Sequence, residues 1–140
     1  MTPLEIPPLP GALRVSTYLR GGYCVAALSG ELDFASVPEL RDQLLSMLRP
    51  DACRLIIDLS DVTFCDASGL AVLVGTNRRA RLLRGVLRLA APAPAVIETL
   101  RITGLDLKLD VFPTVSAAII GTKPALASPM ADERDWQPGK

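Results

Sequence analysis

The stretch Phe64-Cys65-Asp66-Ala67-Ser68-Gly69-Leu70, which follows the apolar run Leu55-Ile56-Ile57-Asp58-Leu59, decides how this chain folds. The run suits a buried strand, and the short polar turn after it leads into a helix that opens on Ser68. The first turn of a helix carries N–H groups with no partner inside the helix, and they point outward. A phosphate can be held there. Ser68 is therefore a candidate switch. Asp66 is placed to cap the helix by accepting an N–H bond from Ser68 or Gly69. Gly69 has no side chain, which would let a partner's nucleotide or backbone approach Ser68 closely.

The neighbouring elements follow from the same pattern. Arg54 to Leu59 is nearly continuous in apolar residues, as in a central strand covered by helices. The helix from about Gly69 to Leu83 lines up Leu70, Leu73, Val74 and Asn77, with Arg81 at the far end. Gly75 and Thr76 are poor helix formers, so this helix relies on packing. Arg78, Arg79, Arg81 and Arg84 crowd its last turns and complement the negative end of its dipole. Upstream, Leu13, Val15 and Thr17 alternate with Arg14, Ser16 and Tyr18. The Gly21-Gly22 turn then leads to Tyr23–Ser29, which predicts a hairpin. Gly30-Glu31-Leu32-Asp33 leads into a helix whose apolar face is Val37, Leu40, Leu44, Met47 and Leu48. Ser36 and Glu39 have capping-box spacing, Pro38 falls in the first turn, and Arg49-Pro50-Asp51 ends the helix. Asp58 is expected to end the third strand, and Asp61 to be solvated.

Downstream, Val86–Leu89 is a fourth strand, broken by Pro92 and Pro94. Ala95–Ile102 is a helix with Val96, Ile97 and Leu100 inward, capped by Thr103-Gly104. A short strand lies within Leu107–Phe112, and Thr114 caps a last helix to about Ile120. Residues 1–11, with Pro3, Pro7, Pro8 and Pro10, read as a flexible arm, and residues 121–140, with Trp136, as a flexible tail. The order β-β-α-β-α-β-α-β-α predicts one α/β domain over 12–120. Its sheet is mixed and mostly parallel, with about five strands and about four helices.

Composition narrows the function. A chain of 140 residues with 49% hydrophobic content can build a core. Net charge is formally zero, so direct nucleic-acid binding is not expected. Charge is nonetheless segregated: residues 31–66 are mainly acidic and residues 78–101 mainly basic, which suits a charged protein partner. There is no histidine, which removes the commonest general base and metal ligand. Cys24, Cys53 and Cys65 form no close-spaced pair and read as reduced thiols in a cytoplasm. No leader-like N-terminus and no apolar run of membrane-spanning length is present. No cofactor is expected and no catalytic residue is assigned. Cys65 beside Asp66 has no base, and a neighbouring carboxylate raises a thiol's pKa where a nucleophile needs it lowered. No phosphate-binding loop pattern occurs.

With Gly30-Glu31-Leu32-Asp33, Asp66-Ala67-Ser68-Gly69-Leu70 and Val111-Phe112-Pro113-Thr114-Val115 in this order, the chain resembles the STAS-domain family over roughly residues 12–120. The likeness is to its bacterial anti-sigma-factor antagonists. The family's usual turn is Asp-Ser-Ser-Gly-Leu with the second serine phosphorylated; here Ala67 replaces the first serine and Ser68 keeps the second. The resemblance implies a protein that binds an anti-sigma factor when unphosphorylated and so frees a sigma factor. That partner is also a serine kinase of the histidine-kinase-like ATPase fold, and it carries the ATP. Phosphorylation of Ser68 releases the complex, and a serine phosphatase reverses it. Partner contacts are implied at Asp33, Asp66, Ala67, Ser68, Gly69 and Leu70, in a monomer or weak dimer. The alternative is a non-catalytic STAS scaffold subunit of a stress-sensing, transporter or lipid-trafficking complex.

Overall fold

Alternation along the strands sorts the apolar residues onto two faces of one sheet. The computed structural model describes residues 12–49 and 54–121. The proline-rich arm, Pro50 to Cys53, and the tail from Thr122 with Trp136 lie outside the described residues. The elements are β1 (Arg14–Arg20), β2 (Tyr23–Leu32), α1 (Val37–Ser46), β3 (Arg54–Cys65), α2 (Ala67–Leu82), β4 (Val86–Ala90), α3 (Pro94–Thr103), β5 (Val111–Phe112) and α4 (Val115–Ile120). Two 3-10 turns, Phe34–Ser36 and Leu105–Leu107, complete them. This is the predicted α/β order. The sheet runs β1-β2-β3-β4-β5; β1 pairs antiparallel with β2, and every other pairing is parallel.

Gly21 and Gly22, both at positive φ, close the hairpin between β1 and β2, a conformation that glycine adopts without penalty. On one face of the sheet, Ala26, Leu28, Leu55, Ile57, Leu87 and Leu89 pack against α1, α2 and α3 through Leu40, Leu44, Leu70, Leu73, Val96 and Leu100. The adjacent residues Val25, Ile56, Ala90 and Phe112 point the other way and pack with Tyr23 against Ala118 of α4. Arg88 stabilises that second layer: its guanidinium donates to the Tyr23 hydroxyl at 2.8 Å and to the Ala118 carbonyl at 2.7 Å, near the C-terminal end of α4. A cation there meets the negative end of the helix dipole.

Two expectations change. β3 does not end at Asp58 but continues to Cys65, because β2 itself continues to Leu32 and keeps that half of β3 hydrogen-bonded despite its polar composition. The continuation is irregular, with register shifts around Ala27–Ser29 and Gly30–Glu31. Asp58 accepts the Ser60 N–H at 3.0 Å from within the strand. The buried face of α2 is also wider than one stripe: Gly69, Leu70, Val72, Leu73, Thr76 and Ala80 are buried, whereas Val74 and Asn77 are only half-buried. A helix flanked by both α1 and α3 loses solvent on its flanks as well as beneath.

Gly75 is exposed in the middle of α2, and a Cβ there meets no atom within 4 Å. No packing reason for glycine exists at this position. Gly75→Ala is expected to raise unfolding stability by about 0.5–1 kcal/mol, the helix-propensity difference, read by chemical denaturation.

Candidate functional site

The site sits where β2 and β3 end and α2 begins. Asp66 is extended (φ −110°, ψ 179°) and caps α2: its Oδ1 accepts the Gly69 N–H at 2.9 Å. Its Oδ2 accepts the Phe34 N–H at 3.3 Å, and its own N–H donates to the Leu32 carbonyl at 3.1 Å. One residue thus joins the start of α2 to the end of β2 and to the 3-10 turn. A side-chain cap of this kind contributes about 1 kcal/mol. Cys65, the residue before it, is anchored from α3: Thr99 donates its hydroxyl to the Cys65 carbonyl at 2.8 Å.

Ser68 lies in the first turn of α2, half-buried. The cap is Asp66, so the Ser68 hydroxyl is not used for capping, and it makes no hydrogen bond with the described residues. It stands beside the positive end of the helix dipole with Ala67 exposed next to it. Asp33 is half-buried and caps the 3-10 turn: its Oδ1 accepts the Ser36 N–H at 3.1 Å, and its own N–H donates to the Ser36 hydroxyl at 3.0 Å. The expected capping box between Ser36 and Glu39 is therefore replaced by one between Asp33 and Ser36. With its hydroxyl committed there, Ser36 gives no side-chain bond to α1.

Two residues expected to touch a partner are placed otherwise. Gly69 is buried, and a Cβ on it would collide with the Leu32 carbonyl oxygen and lie 2.6 Å from Leu32 Cγ. Its missing side chain admits β2, not an outside molecule. Leu70 is fully buried in the core, as its position one turn into an inward-facing stripe requires. Asp33, Asp66, Ala67 and Ser68 come together at the surface; Gly69 and Leu70 position them from below. Sequence reading missed Leu32, Thr99 and the exposed Phe34 and Phe64. The signal for Phe34 was present: an aromatic residue directly after Asp33 and outside every apolar periodicity.

Cys65 is 6% exposed, and its thiol is pushed up to about 12, chiefly by burial and secondarily by the Asp66 charge. That is the reverse of what a nucleophile needs. Among the described residues no group of three metal-ligating side chains is placed to hold a metal ion, and no helix is long and apolar enough to cross a membrane.

The STAS domain family model matches residues 14–118. The chain belongs to the STAS-domain family. Among relatives, this STAS protein is 36% identical over 84 residues to the anti-sigma-B factor antagonist of Bacillus subtilis (strain 168), covering 60% of this chain and 76% of the relative. Among solved structures, it matches an anti-sigma factor antagonist from Mycobacterium paratuberculosis with a TM-score of 0.72 and 28% identity, over 80% of this chain and 95% of the other. The anti-sigma factor antagonist SpoIIAA in its unphosphorylated form matches with a TM-score of 0.62 and 25% identity, over 77% and 93% of the two chains.

Two outcomes follow from the geometry of this STAS site. Gly69→Ala is expected to destabilise the fold by about 1–3 kcal/mol, the usual cost of overpacking, measured by denaturant unfolding. The raised Cys65 thiol keeps its proton in the folded protein above the ordinary value of 9.0, where an unfolded thiol ionises. Its contribution to stability is present below that value and is lost as pH rises toward about 12. At neutral pH, peptide mapping after iodoacetamide treatment of the native protein should therefore show Cys24 labelled well before Cys65.

Proposed function

We propose that the chain is an anti-sigma-factor antagonist whose binding surface is switched off by phosphorylation of Ser68. The observation that carries this reading is the Ser68 hydroxyl: on a half-buried residue, free of hydrogen bonds to the described residues, and held in the first turn of α2 by a cap that another residue supplies. The antagonists among its relatives support the same reading. In the unphosphorylated state Asp33, Asp66, Ala67 and Ser68 meet an anti-sigma factor that is also a serine kinase of the histidine-kinase-like ATPase fold, and its sigma factor is freed. The protein itself is not the catalyst. The partner holds the ATP, and Ser68 Oγ attacks the γ-phosphorus. The Oγ–P bond forms, the bond from that phosphorus to the bridging oxygen breaks, ADP leaves, and the hydroxyl proton passes to the kinase or to solvent. A serine phosphatase restores the hydroxyl. This cycle belongs in a cytoplasm and needs no stable oligomer.

Charge explains release without refolding. Phosphorylation adds nearly two negative charges. Within the free protein, repulsion from Asp66 is opposed by the helix dipole, which stabilises an exposed anion there by about 0.3–1 kcal/mol. At the interface the new anion faces the phosphates of the kinase's own ADP and is stripped of water. A buried, poorly paired charge costs about 2–5 kcal/mol, which weakens binding by roughly 30-fold to several thousandfold.

Incubation with candidate anti-sigma kinases and ATP, followed by mass mapping, should place one phosphate on Ser68. The phosphorylated protein should keep its native circular dichroism and lose the kinase. Ser68→Ala should bind and resist modification. Equal binding by phosphorylated and unphosphorylated protein would defeat the switch and favour the scaffold role.

A further inference from the structure

Of the chain's three phenylalanines, only Phe112 belongs to the core. Phe34 is 77% exposed and Phe64 is 48% exposed. Both lie on segments fastened at Asp66: the Phe34 N–H donates to its carboxylate, and Phe64 stands two residues before it at the end of β3. Single exposed apolar residues are ordinary on protein surfaces. Among the exposed large hydrophobics of the described residues, Phe34 is the one whose backbone bonds the carboxylate that caps the Ser68 helix, and Ala67, the residue after that carboxylate, is exposed as well.

Phe34 is preorganised. The box between Asp33 and Ser36 and the bond to Asp66 fix the backbone on both sides of Phe34. A phenylalanine on a fixed backbone has only two side-chain torsions to immobilise on docking, so little entropy opposes its burial. The surroundings are acidic. Glu31, Asp33 and Asp66 stand in the same segments, and no lysine or arginine occurs in residues 21–40 or 55–77. The exposed Leu107 is the opposite case: it borders a shallow cleft shared with Arg78, Arg81 and Lys108, beyond the middle of α2 from Ser68.

We propose that Phe34 is the apolar anchor by which this protein docks its kinase partner, entering an apolar pocket ringed by lysine or arginine. The inference rests on the function proposed above and names the chemistry of its partner. An aromatic group that fills a pocket inside a polar rim is the usual form of a binding hot spot. The basic ring complements Glu31, Asp33 and Asp66, while the kinase's nucleotide phosphates occupy the separate position facing Ser68. Phe34 therefore supplies attraction that phosphorylation does not touch, and Ser68 supplies the repulsion that overrides it.

The test uses the purified kinase that phosphorylates Ser68 of the wild-type full chain. With ADP present, it is titrated calorimetrically with wild type, Phe34→Ala, Phe34→Leu, Phe34→Lys and, as a distant control, Leu107→Ala. Phe34→Ala is expected to weaken binding by about tenfold or more, and Phe34→Lys by still more, as for loss of a hot spot. Phe34→Leu should lose only about threefold, and Leu107→Ala less than about twofold, because one keeps an apolar anchor and the other lies outside the patch. Melting temperatures should match wild type, and for Phe34→Ala the phosphorylation KM should rise with kcat retained. Phe34→Ala binding within about twofold of wild type would overturn the anchor while leaving the Ser68 switch intact. A wild-type chain that binds no anti-sigma kinase and accepts no phosphate would remove the function and the anchor together, a result visible before any variant is made.

Discussion

The Asp66 carboxylate is the constraint on which the rest of the site depends. Its two oxygens accept from Gly69 and Phe34, residues 35 positions apart in the chain numbering, and its own N–H is held by Leu32. Those bonds fix the direction in which α2 leaves β3 and so where Ser68 emerges. The bonds succeed only because Gly69 lets α2 descend onto the Leu32 carbonyl, a position no side chain could share. Cap and glycine are one device: the cap needs the close approach, and the close approach leaves the helix start with no other way to satisfy the Gly69 N–H.

Much of this is legible in the amino-acid sequence. The apolar periods located every strand and helix in order, because burial on one side or both leaves a mark in composition. The strand at Leu55–Leu59 and the cap at Asp66 are local patterns, and they were read correctly. Long-range pairing was harder to read. Ser60 to Phe64 look like a loop by composition, yet they remain strand because Ser29 to Leu32 lie alongside. Ser36 spaced three residues before Glu39 looks like a cap for α1, but Asp33 takes its hydroxyl first. Gly69 looked like an opening to the outside because sequence shows that a side chain is missing, not which neighbour fills the space. Each error concerns a competition between partners that are equally available to the local chain.

Charge is distributed along the fold with the same economy. Glu31, Asp33, Asp61 and Asp66 stand at the carboxyl ends of β2 and β3, where the polypeptide turns toward α2, and Arg78, Arg79, Arg81 and Arg84 stand at the other end of α2. Arg79 and Arg81 in its last turn meet the negative pole of the dipole. Residues 55–77, which carry Ser68, hold no basic side chain, so within that stretch the positive end of the helix dipole is what favours an anion. A phosphate there would find no guanidinium or ammonium within that stretch of chain to pair with. Had an arginine stood beside Ser68, the modified state would carry an internal ion pair, and the phosphate would present less bare charge to a partner.

Rigidity then decides how such a small change is felt. The capped helix start, the boxed 3-10 turn and the anchored end of β3 are held by hydrogen bonds over a packed core, with Asp66 joining the turn to the cap. A pliant surface would move the phosphate aside and repack its contacts. A surface held at this many points would leave an added charge where the hydroxyl is, so in the proposed switch the energetic penalty falls on the complex and not on the fold. The same bonds fix the backbone on both sides of Phe34, whose side chain stands exposed to solvent.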